Sequence, residues 1–474
     1  MKKSRRAALT WLDTSPCFRL PAICGDFATM LSGRSSRRSC WRIAILLTIT
    51  SVYIYLQRDL PSVRLQNAAL SKNDITAPTT LPCRDLPGAN DTVMILKTGS
   101  TELKDKLPIH FQTTLRCYPN YLIFSDHAEQ YHGENIIDAL EEVNASIKAE
   151  HEDFALYRRL QRFGRASLGE SELSGPASLP QDGKTGMLTN PGWKLDKWKF
   201  LPMIRRTLEE YPDKKWYVFV ETDTYIFWST LLAYLAVLEP SKPYYTGSQM
   251  QIGDVLFAHG GSGFAISRPT LEKAVAQYLE HKEEVENFTS NHWAGDCVLG
   301  KVIKDSGTSL TWAWPIWLGI DIGNMDYNLT DYGHRLWCSP AVSYHHLSPS
   351  IVEDLWRFEQ EWIAREDTGS PAFLRHKDIY AEFILPRTSK PRRNWDNHAD
   401  EARGPAASLQ ECRGICEEDK SCLQYSHSED GTCLTTSRPN LGQASVGIQS
   451  EWLNERMSEF YAQAADCEGD GWIK

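Results

Sequence analysis

The sequence lacks any excess of positive charge. Its 474 residues carry a formal net charge of -10 at pH 7. Nucleic acids are bound by clustered cations that neutralise phosphates, so this charge balance argues against a nucleic acid as the main partner. Hydrophobic residues make up 42% of the chain, which is enough for one large folded domain and a smaller one.

A small-residue cleavage pattern is also lacking after the first apolar run, residues 41–57. A membrane anchor has two alternatives here, a cleaved signal peptide and a buried core helix. The absence of a cleavage pattern disfavours the cleaved signal peptide. As a helix the run would span about 24 Å, a little less than a hydrocarbon core of ~30 Å. The basic flank 1–40 would stay in the cytosol. We therefore predict a signal anchor at 41–57 and a single-pass type II protein of the Golgi or another secretory membrane.

Paired C-x2-C spacings, which are typical of zinc sites, are absent as well. Nine cysteines follow the predicted anchor: Cys83, Cys117, Cys297, Cys338, Cys412, Cys416, Cys422, Cys433 and Cys467. In an oxidising lumen they are expected to form disulfides, and their odd number leaves at least one unpaired or bonded to another chain. Glycosylation sequons at Asn90, Asn144, Asn287 and Asn328 fit the same compartment.

Strand-like and helix-like segments alternate from residue 92 onward. The apolar runs predict buried strands at 92–97, 121–125 and 216–220, with helical segments near 135–162 and 194–211. This alternation favours an α/β domain with parallel strands. We interpret 58–82 as a polar stem, 83–385 as the main domain, 164–192 as a long loop within it, and 386–405 as a proline-punctuated linker.

The last segment, 406–474, is rich in cysteine. Cys412, Cys416, Cys422 and Cys433 follow the spacing C-x3-C-x5-C-x10-C. So short a segment cannot bury a large core, and disulfides worth about 2–4 kcal/mol each are expected to stabilise it. With the aromatic Tyr425 beside the third cysteine, the segment resembles a PAN/apple module. Such modules bind proteins or carbohydrate.

An acidic segment follows the third predicted strand and reads Glu221-Thr222-Asp223-Thr224-Tyr225. Open α/β sheets bind ligands at the carboxyl ends of their strands. A carboxylate there, joined by an imidazole, could hold a divalent cation against the diphosphate leaving group of a sugar donor. An acidic strand end is also commonly a turn or a cap, so the segment alone does not decide the chemistry.

Three later segments also carry polar or glycine residues next to apolar runs. The run Gly260-Gly261-Ser262-Gly263 would let backbone approach a ligand closely, or would form a flexible hairpin. Asp296 stands at the start of an apolar helical stretch, where an acid is by default an N-cap. His345 and His346 end a strand-like run and, taken alone, read as partly buried aromatics.

In this order the segments resemble the Fringe-like and core 1 β1,3-galactosyltransferase branch of glycosyltransferase family 31. The family's D-D-D-T-Y motif appears as the segment 221–225, its glycine segment as 260–263, its E-D-x-x-x-G helix start as 295–300, and its S-F-H-Y segment as 343–346. The family's T-W-x-x-R-C, with the strand after it, resembles 113–125. The resemblance spans roughly 92–365.

The resemblance implies a GT-A fold and an inverting, Mn2+-dependent transfer from a UDP-sugar. Asp223 and His345 would be metal ligands, with His346 as an alternative ligand at a position where relatives carry an aromatic. Asp296 would be the general base. Contacts to the donor are expected from Glu221, Thr222, Thr224, Lys97 and Thr98, and an acceptor or donor loop from Gly260, Gly261, Ser262 and Gly263.

By the same resemblance the sugar would be galactose, added in β1,3 linkage to a glycan or glycoprotein. The sequence departs from the family where Glu221 and Thr222 replace two of the three motif acids, which leaves the choice of donor open. Because the branch includes a chaperone-like relative without the metal motif, a non-catalytic lumenal chaperone or glycan-binding protein is the alternative. The apple-like module would support a homo-oligomer or a lumenal protein partner.

Overall fold

The computed structural model describes residues 81–174, 190–365, 373–464 and 466–473. The predicted tail and signal anchor, and all but the end of the predicted stem, lie outside these residues. Within them, the helices are all too short or too polar to span a bilayer.

An eight-stranded mixed sheet forms the centre of the main domain, in the order β11-β7-β10-β5-β1-β2-β4-β3. β1 pairs in parallel with β5 and β2, β2 with β4, and β7 with β11, while β10 and β3 run antiparallel to their neighbours. The strands of this sheet are β1 Thr92–Lys97, β2 Tyr121–Ser125, β3 Glu129–Tyr131, β4 Glu134–Asp138, β5 Trp216–Glu221, β7 Tyr245–Gly247, β10 Phe264–Ser267 and β11 Leu310–Trp312. The predicted α/β class with parallel strands is thereby confirmed.

The helices of the described chain lie mainly between these strands and after them. They are α1 Leu103–Lys106, α2 Pro108–Gln112, α3 Ala145–Glu150, α4 Ala155–Phe163, α5 Pro191–Asp196, α6 Phe200–Glu210, α7 Trp228–Ala236, α8 Arg268–Glu280, α9 Lys282–Ser290, α10 Gly295–Asp305, α11 Pro349–Ile363, α12 His376–Ile379, α13 Leu385–Arg387, α14 Leu409–Glu418 and α15 Asn454–Gln463. A π-helical turn, Tyr380–Ile384, joins α12 to α13.

Both faces of the central strands are buried, because successive side chains of a strand point to opposite faces. Along β1, Met94 packs into one apolar cluster and Val93 into another on the opposite face. Along β5, Val218 packs into the same cluster as Met94, and Phe219 packs into the same cluster as Val93. Continuous apolar runs of this kind are typical of parallel strands covered on both sides. They explain why the three strand predictions are confirmed to within one residue.

The helix prediction near 135–162 is partly wrong. Its first residues form strand β4, and α3 and α4 begin only at Ala145 and Ala155. β4 has one buried residue, Ile136, among polar ones, so it lacks the apolar run that marks the inner strands. The segment 164–192 is a loop with two 3-10 turns as far as residue 174, and 175–189 lie outside the described residues.

Three two-stranded sheets accompany the main one. Their strands are β6 Tyr225–Ile226 with β14 Ser343–Tyr344, β8 Gln249–Ile252 with β9 Val255–Ala258, and β12 Thr330–Asp331 with β13 His334–Arg335. The antiparallel pair β6–β14 joins the segment that follows β5 to a segment far along the chain. This pairing positions the site described below.

The C-terminal segment contains a five-stranded antiparallel sheet in the order β15-β19-β17-β18-β16. Its strands are β15 Arg392–Asp396, β16 Glu401–Pro405, β17 Gln424–Ser428, β18 Thr432–Thr436 and β19 Gln443–Trp452. The interpretation of 386–405 as a linker is therefore wrong, since this segment supplies both edge strands. Edge strands are largely exposed, so the sequence of this segment is polar and resembles a linker.

The C-terminal sheet and the main domain share one apolar cluster. Trp452 and Met457 lie in it together with Trp337 and Tyr380. Four disulfides join Cys83 to Cys117, Cys338 to Cys467, Cys412 to Cys433 and Cys416 to Cys422. Among the described cysteines, only the buried Cys297 is unpaired. This agrees with the odd number of cysteines after the predicted anchor, which leaves at least one without a partner in the same chain.

Candidate active site

The site begins at the carboxyl edge of the two central parallel strands. Lys97 ends β1 and Glu221 ends β5, and the two residues are direct partners in the strand register. The Lys97 Nζ lies 2.9 Å from Oε1 of Glu221 and also forms an ion pair with Asp196. Burial opposes the charge of Lys97, but Asp196 and Glu221 outweigh it and raise the Lys97 pKa. The strand edge thus presents a fixed ammonium beside a carboxylate.

Asp223 and His345 are brought together by the pairing of β6 with β14. Tyr225 is the register partner of Tyr344, and the Leu347 N–H donates to the Asp223 carbonyl at 2.9 Å. The residues just before β6 therefore face those just after β14. The Nε2 atom of His345 lies 3.2 Å from Oδ1 of Asp223.

These side chains fit a divalent cation. The buried His345 ring contacts the carboxylates of Asp223 and Glu221 through Nε2, and its Nδ1 has no hydrogen-bond partner among the described residues. Ligand atoms of Asp223, His345 and His346 all lie within 4.8 Å of one another. A buried imidazole next to a carboxylate is a donor set that suits a divalent metal ion. A metal site at Asp223 and His345 is thus available in the fold, with His346 in reach.

His346 differs from His345 in its setting. It is exposed, and its φ of 58° puts a non-glycine residue in the left-handed region. The rings of His345 and His346 lie 3.9 Å apart between centroids. Partial desolvation by the surrounding protein and the charge of the neighbouring His345 lower the pKa of His346.

The glycine segment lies against His345 and Asp296. A Cβ at position 261 would lie 2.6 Å from Nδ1 of His345, so that position has no room for a side chain. The Gly260 N–H donates to Oδ2 of Asp296 at 2.8 Å, and Thr224 Oγ1 donates to the Gly261 carbonyl at 2.7 Å. The segment is therefore a close-packed connection between the acidic loop and Asp296, rather than a flexible hairpin.

Asp296 lies in the first turn of α10 and is not the N-cap of that helix, which is Ala294. Its Oδ1 accepts the Cys297 N–H at 2.8 Å. Burial raises the pKa of Asp296 to about 6, although the hydrogen bonds from Gly260 and Cys297 oppose this shift. A carboxylate with such a pKa is suited to take a proton near neutral pH.

The comparison with known protein families concerns this part of the chain. Residues 194–313 match the Fringe-like family model. The matched residues include the acidic segment, the glycine segment and Asp296, whereas Lys97 and His345 lie outside them. The match supports a Fringe-like glycosyltransferase. The mixed α/β sheet with its parallel strands is consistent with the GT-A fold that the sequence resemblance implies.

Lys106 also lies in this site but was missed in the sequence. Its Nζ lies 2.9 Å from Oδ2 of Asp223 and 2.9 Å from Oε2 of Glu102, and its side chain is buried. Burial opposes its charge, yet Glu102 and Asp223 outweigh this and raise the Lys106 pKa. Lys106 and His345 in turn hold the pKa of Asp223 well below its usual value against the effect of burial. Lys106 lies in a short helix without a motif, so no sequence pattern indicates it.

Lys199 is a second cation of this site that was missed in the sequence. Its buried Nζ donates to the Thr98 carbonyl at 2.9 Å and lies 3.2 Å from Oδ1 of Asp196. Asp196 also pairs with Lys97, so it links the two lysines. Thr98, which the sequence predicts to contact the sugar donor, therefore lies next to Lys199. The Thr98 Oγ1 lies 3.5 Å from Oε1 of Glu102. The two lysines would place positive charge beside the phosphates of a nucleotide donor.

Two predicted residues of the Fringe-like segment are buried beneath the site. Thr222 is buried, and its Oγ1 has no hydrogen-bond partner within the described chain. The Ser262 hydroxyl donates to the His259 carbonyl at 2.8 Å, which closes the glycine turn. Gly263 has a φ of 74°, a conformation that glycine adopts readily.

Proposed function

We propose that this chain is an inverting, divalent-cation-dependent glycosyltransferase that transfers a hexose from a UDP-sugar to a glycan or glycoprotein. The observation that carries the proposal is the juxtaposition of Asp223 and His345 at the carboxyl edge of the sheet. Asp296, joined to the same site through Gly260, adds a group for proton transfer. By the sequence resemblance, the hexose is galactose and the linkage β1,3.

Each residue of the site has a separate role in the proposed reaction. Asp223 and His345, with His346 in reach, would hold the cation, which supplies charge neutralisation to the departing diphosphate. Lys97 and Lys199 add fixed positive charge at the strand edge. Asp296 takes the proton of the acceptor hydroxyl while the oxygen bonds to the anomeric carbon and the bond from that carbon to the UDP oxygen breaks. One displacement of this kind inverts the anomeric centre.

The setting in the cell belongs to the same proposal. Four disulfides support an oxidising compartment, and the asparagines of all four sequons are exposed. We place the enzyme in the secretory lumen, held by the predicted anchor at 41–57. The C-terminal sheet with α14 packed on it and two internal disulfides supports an apple-like module, which would bind a glycan, a lumenal protein or a second copy of this chain.

The test is a UDP-release assay on the full chain. Common UDP-sugars are supplied with Mn2+ or with EDTA. We expect one donor to release UDP only with Mn2+, and D223N to lose at least about 100-fold of this rate. The matched control is D254N, at an exposed aspartate outside the site. Absence of UDP release from every donor, with the fold intact by circular dichroism, would refute the enzyme and favour the non-catalytic alternative.

A further inference from the structure

Two tryptophans form a partly exposed aromatic surface at the start of α10. Trp293 is 57% exposed and stacks on Trp193, with ring centroids 6.3 Å apart and 16° between the ring planes. His292 continues the surface, with its ring 7° from the plane of Trp293. We call Trp193, His292 and Trp293 the aromatic ledge. Large aromatic rings are usually buried in a folded domain, so near-parallel exposed rings are typical of a binding surface.

The ledge rests on backbone that is held in place from both sides. A Cβ at Gly295 would lie 2.6 Å from Cα of Lys197, so the start of α10 packs directly on the end of α5. The Lys197 Nζ donates to the Ser290 carbonyl at 3.2 Å and pairs with Asp153 at 2.8 Å. Trp193 lies on α5, and Trp293 lies between Ser290 and Gly295. The two rings are therefore presented in a fixed relation, which lowers the entropy cost of binding a ligand.

The ledge is continuous with the site described above. Trp293 directly precedes α10, whose first turn carries Asp296. Trp193 is followed one turn later in α5 by Asp196, which pairs with Lys97. The ledge is therefore connected to the proposed general base through the start of α10, and to Lys97 at the strand edge through Asp196.

We propose that the aromatic ledge is an acceptor subsite, in which the indoles of Trp193 and Trp293 stack on the ring face of the acceptor sugar. This inference rests on the proposed function, since it takes Asp296 as the base. The face of an indole carries negative charge density, and the C–H bonds on one face of a pyranose carry partial positive charge, so the two attract each other. The ring nitrogens of both indoles would stay free to meet the sugar's hydroxyls at the edge.

A different occupant would be the uracil of the donor, which also stacks on aromatic rings. The direct connection of Trp293 to the helix turn that carries Asp296 favours the acceptor. The two occupants predict different losses. If the ledge binds the acceptor sugar, removal of an indole lowers acceptor binding alone. If the ledge binds uracil, the same change lowers UDP binding.

The experiment compares W293A and W193A with the unmodified full chain. Transfer is measured with benzyl α-N-acetylgalactosaminide as acceptor probe, and UDP affinity by calorimetry with Mn2+. We expect each variant to raise the acceptor KM about tenfold or more, with kcat, UDP affinity and acceptor-free UDP release nearly unchanged. W293F keeps an aromatic face and should recover most of the loss. The control is F163A, at an aromatic of similar exposure outside the ledge.

A second readout does not need turnover. Saturation-transfer NMR with the same glycoside, in the presence of UDP and Mn2+, reports contact between the sugar ring and the protein. The signal should fall in W293A and persist in F163A. If the unmodified chain shows no UDP release but W293A still abolishes the sugar signal, the ledge stands while the proposed function fails. An unchanged acceptor KM and NMR signal in both tryptophan variants, or a weakened UDP affinity, overturns the ledge as an acceptor subsite.

Discussion

The Nε2 atom of His345 lies 3.2 Å from Oδ1 of Asp223, although the two residues are far apart in the chain. Two paired strands of two residues each, β6 and β14, bring them together. The Tyr225 hydroxyl donates a hydrogen bond to the buried Glu359 at 2.6 Å. Through this bond, the tyrosine of the acidic segment also connects the paired strands β6 and β14 to α11. The proposed metal ligands therefore depend on tertiary structure that is itself anchored in the core.

Cation binding should stabilise the folded chain. A ligand that binds only the native state adds about 2.7 kcal/mol of stability at 100 times its dissociation constant. We expect the melting temperature of the unmodified chain to rise with Mn2+ concentration and to fall again with EDTA, and D223N and H345N to lose this response. Differential scanning fluorimetry checks it, with D254N responding as the unmodified chain does. A Mn2+ response retained in both site variants would place the cation elsewhere.

Asp296 predicts how the reaction rate depends on pH. Its pKa is raised to about 6, and a general base works only when it is deprotonated. The rate should therefore rise about tenfold per pH unit below about pH 6 and level off above it. D296N should lower the rate about 100- to 10,000-fold at pH 7 while UDP still binds. Steady-state kinetics from pH 5 to pH 8 measures this, and a flat profile across pH 6 would remove Asp296 from the role of base.

Gly261→Ala tests the close packing beneath His345. The added Cβ would lie 2.6 Å from Nδ1 of His345, so the ring must move away from Asp223. We expect weaker Mn2+ binding in calorimetry and a lower rate of UDP release, with little change in overall fold. Gly414→Ala is the matched control, because a Cβ there meets open space on α14. Equal Mn2+ affinity in both alanine variants would contradict the packing argument.

Glu359 predicts a pH dependence of stability. Burial raises its pKa to about 7 against hydrogen bonds from Tyr225 and Ser229, whereas the ordinary pKa of a glutamate is 4.5. Between these two values the folded state keeps a proton that the unfolded state releases. Raising the pH through this window therefore lowers the free energy of unfolding, by an amount on the order of 3 kcal/mol.

Urea unfolding of the unmodified chain and E359Q from pH 4.5 to pH 8 separates this contribution. The amide of E359Q cannot titrate, so its stability should be higher than that of the unmodified chain at pH 8 and less dependent on pH. Parallel curves for the two proteins would show that Glu359 titrates alike in the folded and unfolded states.

The disulfide between Cys338 and Cys467 should stabilise the chain more than that between Cys416 and Cys422. The first closes a separation of 129 residues and the second a separation of 6. A longer loop loses more entropy when it is closed in the unfolded state, and removal of a long-range bond typically costs about 2–5 kcal/mol. Melting temperatures of the paired serine variants C338S/C467S and C416S/C422S compare them, and an equal loss in both would contradict the loop argument.

The sequence predicted the parts of the fold that have a local signal. β1, β2 and β5 are continuous apolar runs, and the structure has them where the runs are. β4 and the two edge strands β15 and β16 are polar, so their strand character depends on neighbours that the sequence does not reveal.

The candidate site likewise contains residues with a local sequence signal and residues without one. Asp223, Asp296 and His345 could be predicted from the sequence because short motifs surround them. Lys106 and Lys199 have no motif, and only the folded chain shows that their ammonium groups reach the acidic segment or its neighbours. The stacking of Trp193 on Trp293 likewise joins two segments that the sequence keeps apart.

The bond between Cys338 and Cys467 also imposes an order of events on biosynthesis. Cys467 follows Cys338 by 129 residues, so Cys338 must remain a free thiol while the residues between them are synthesised. Cys338 stands only a few residues before the proposed metal ligand His345, and this part of the chain is therefore cross-linked only after Cys467 has been made. In an oxidising compartment, a chain that ended before residue 467 would leave the Cys338 thiol open to mixed disulfides with other proteins.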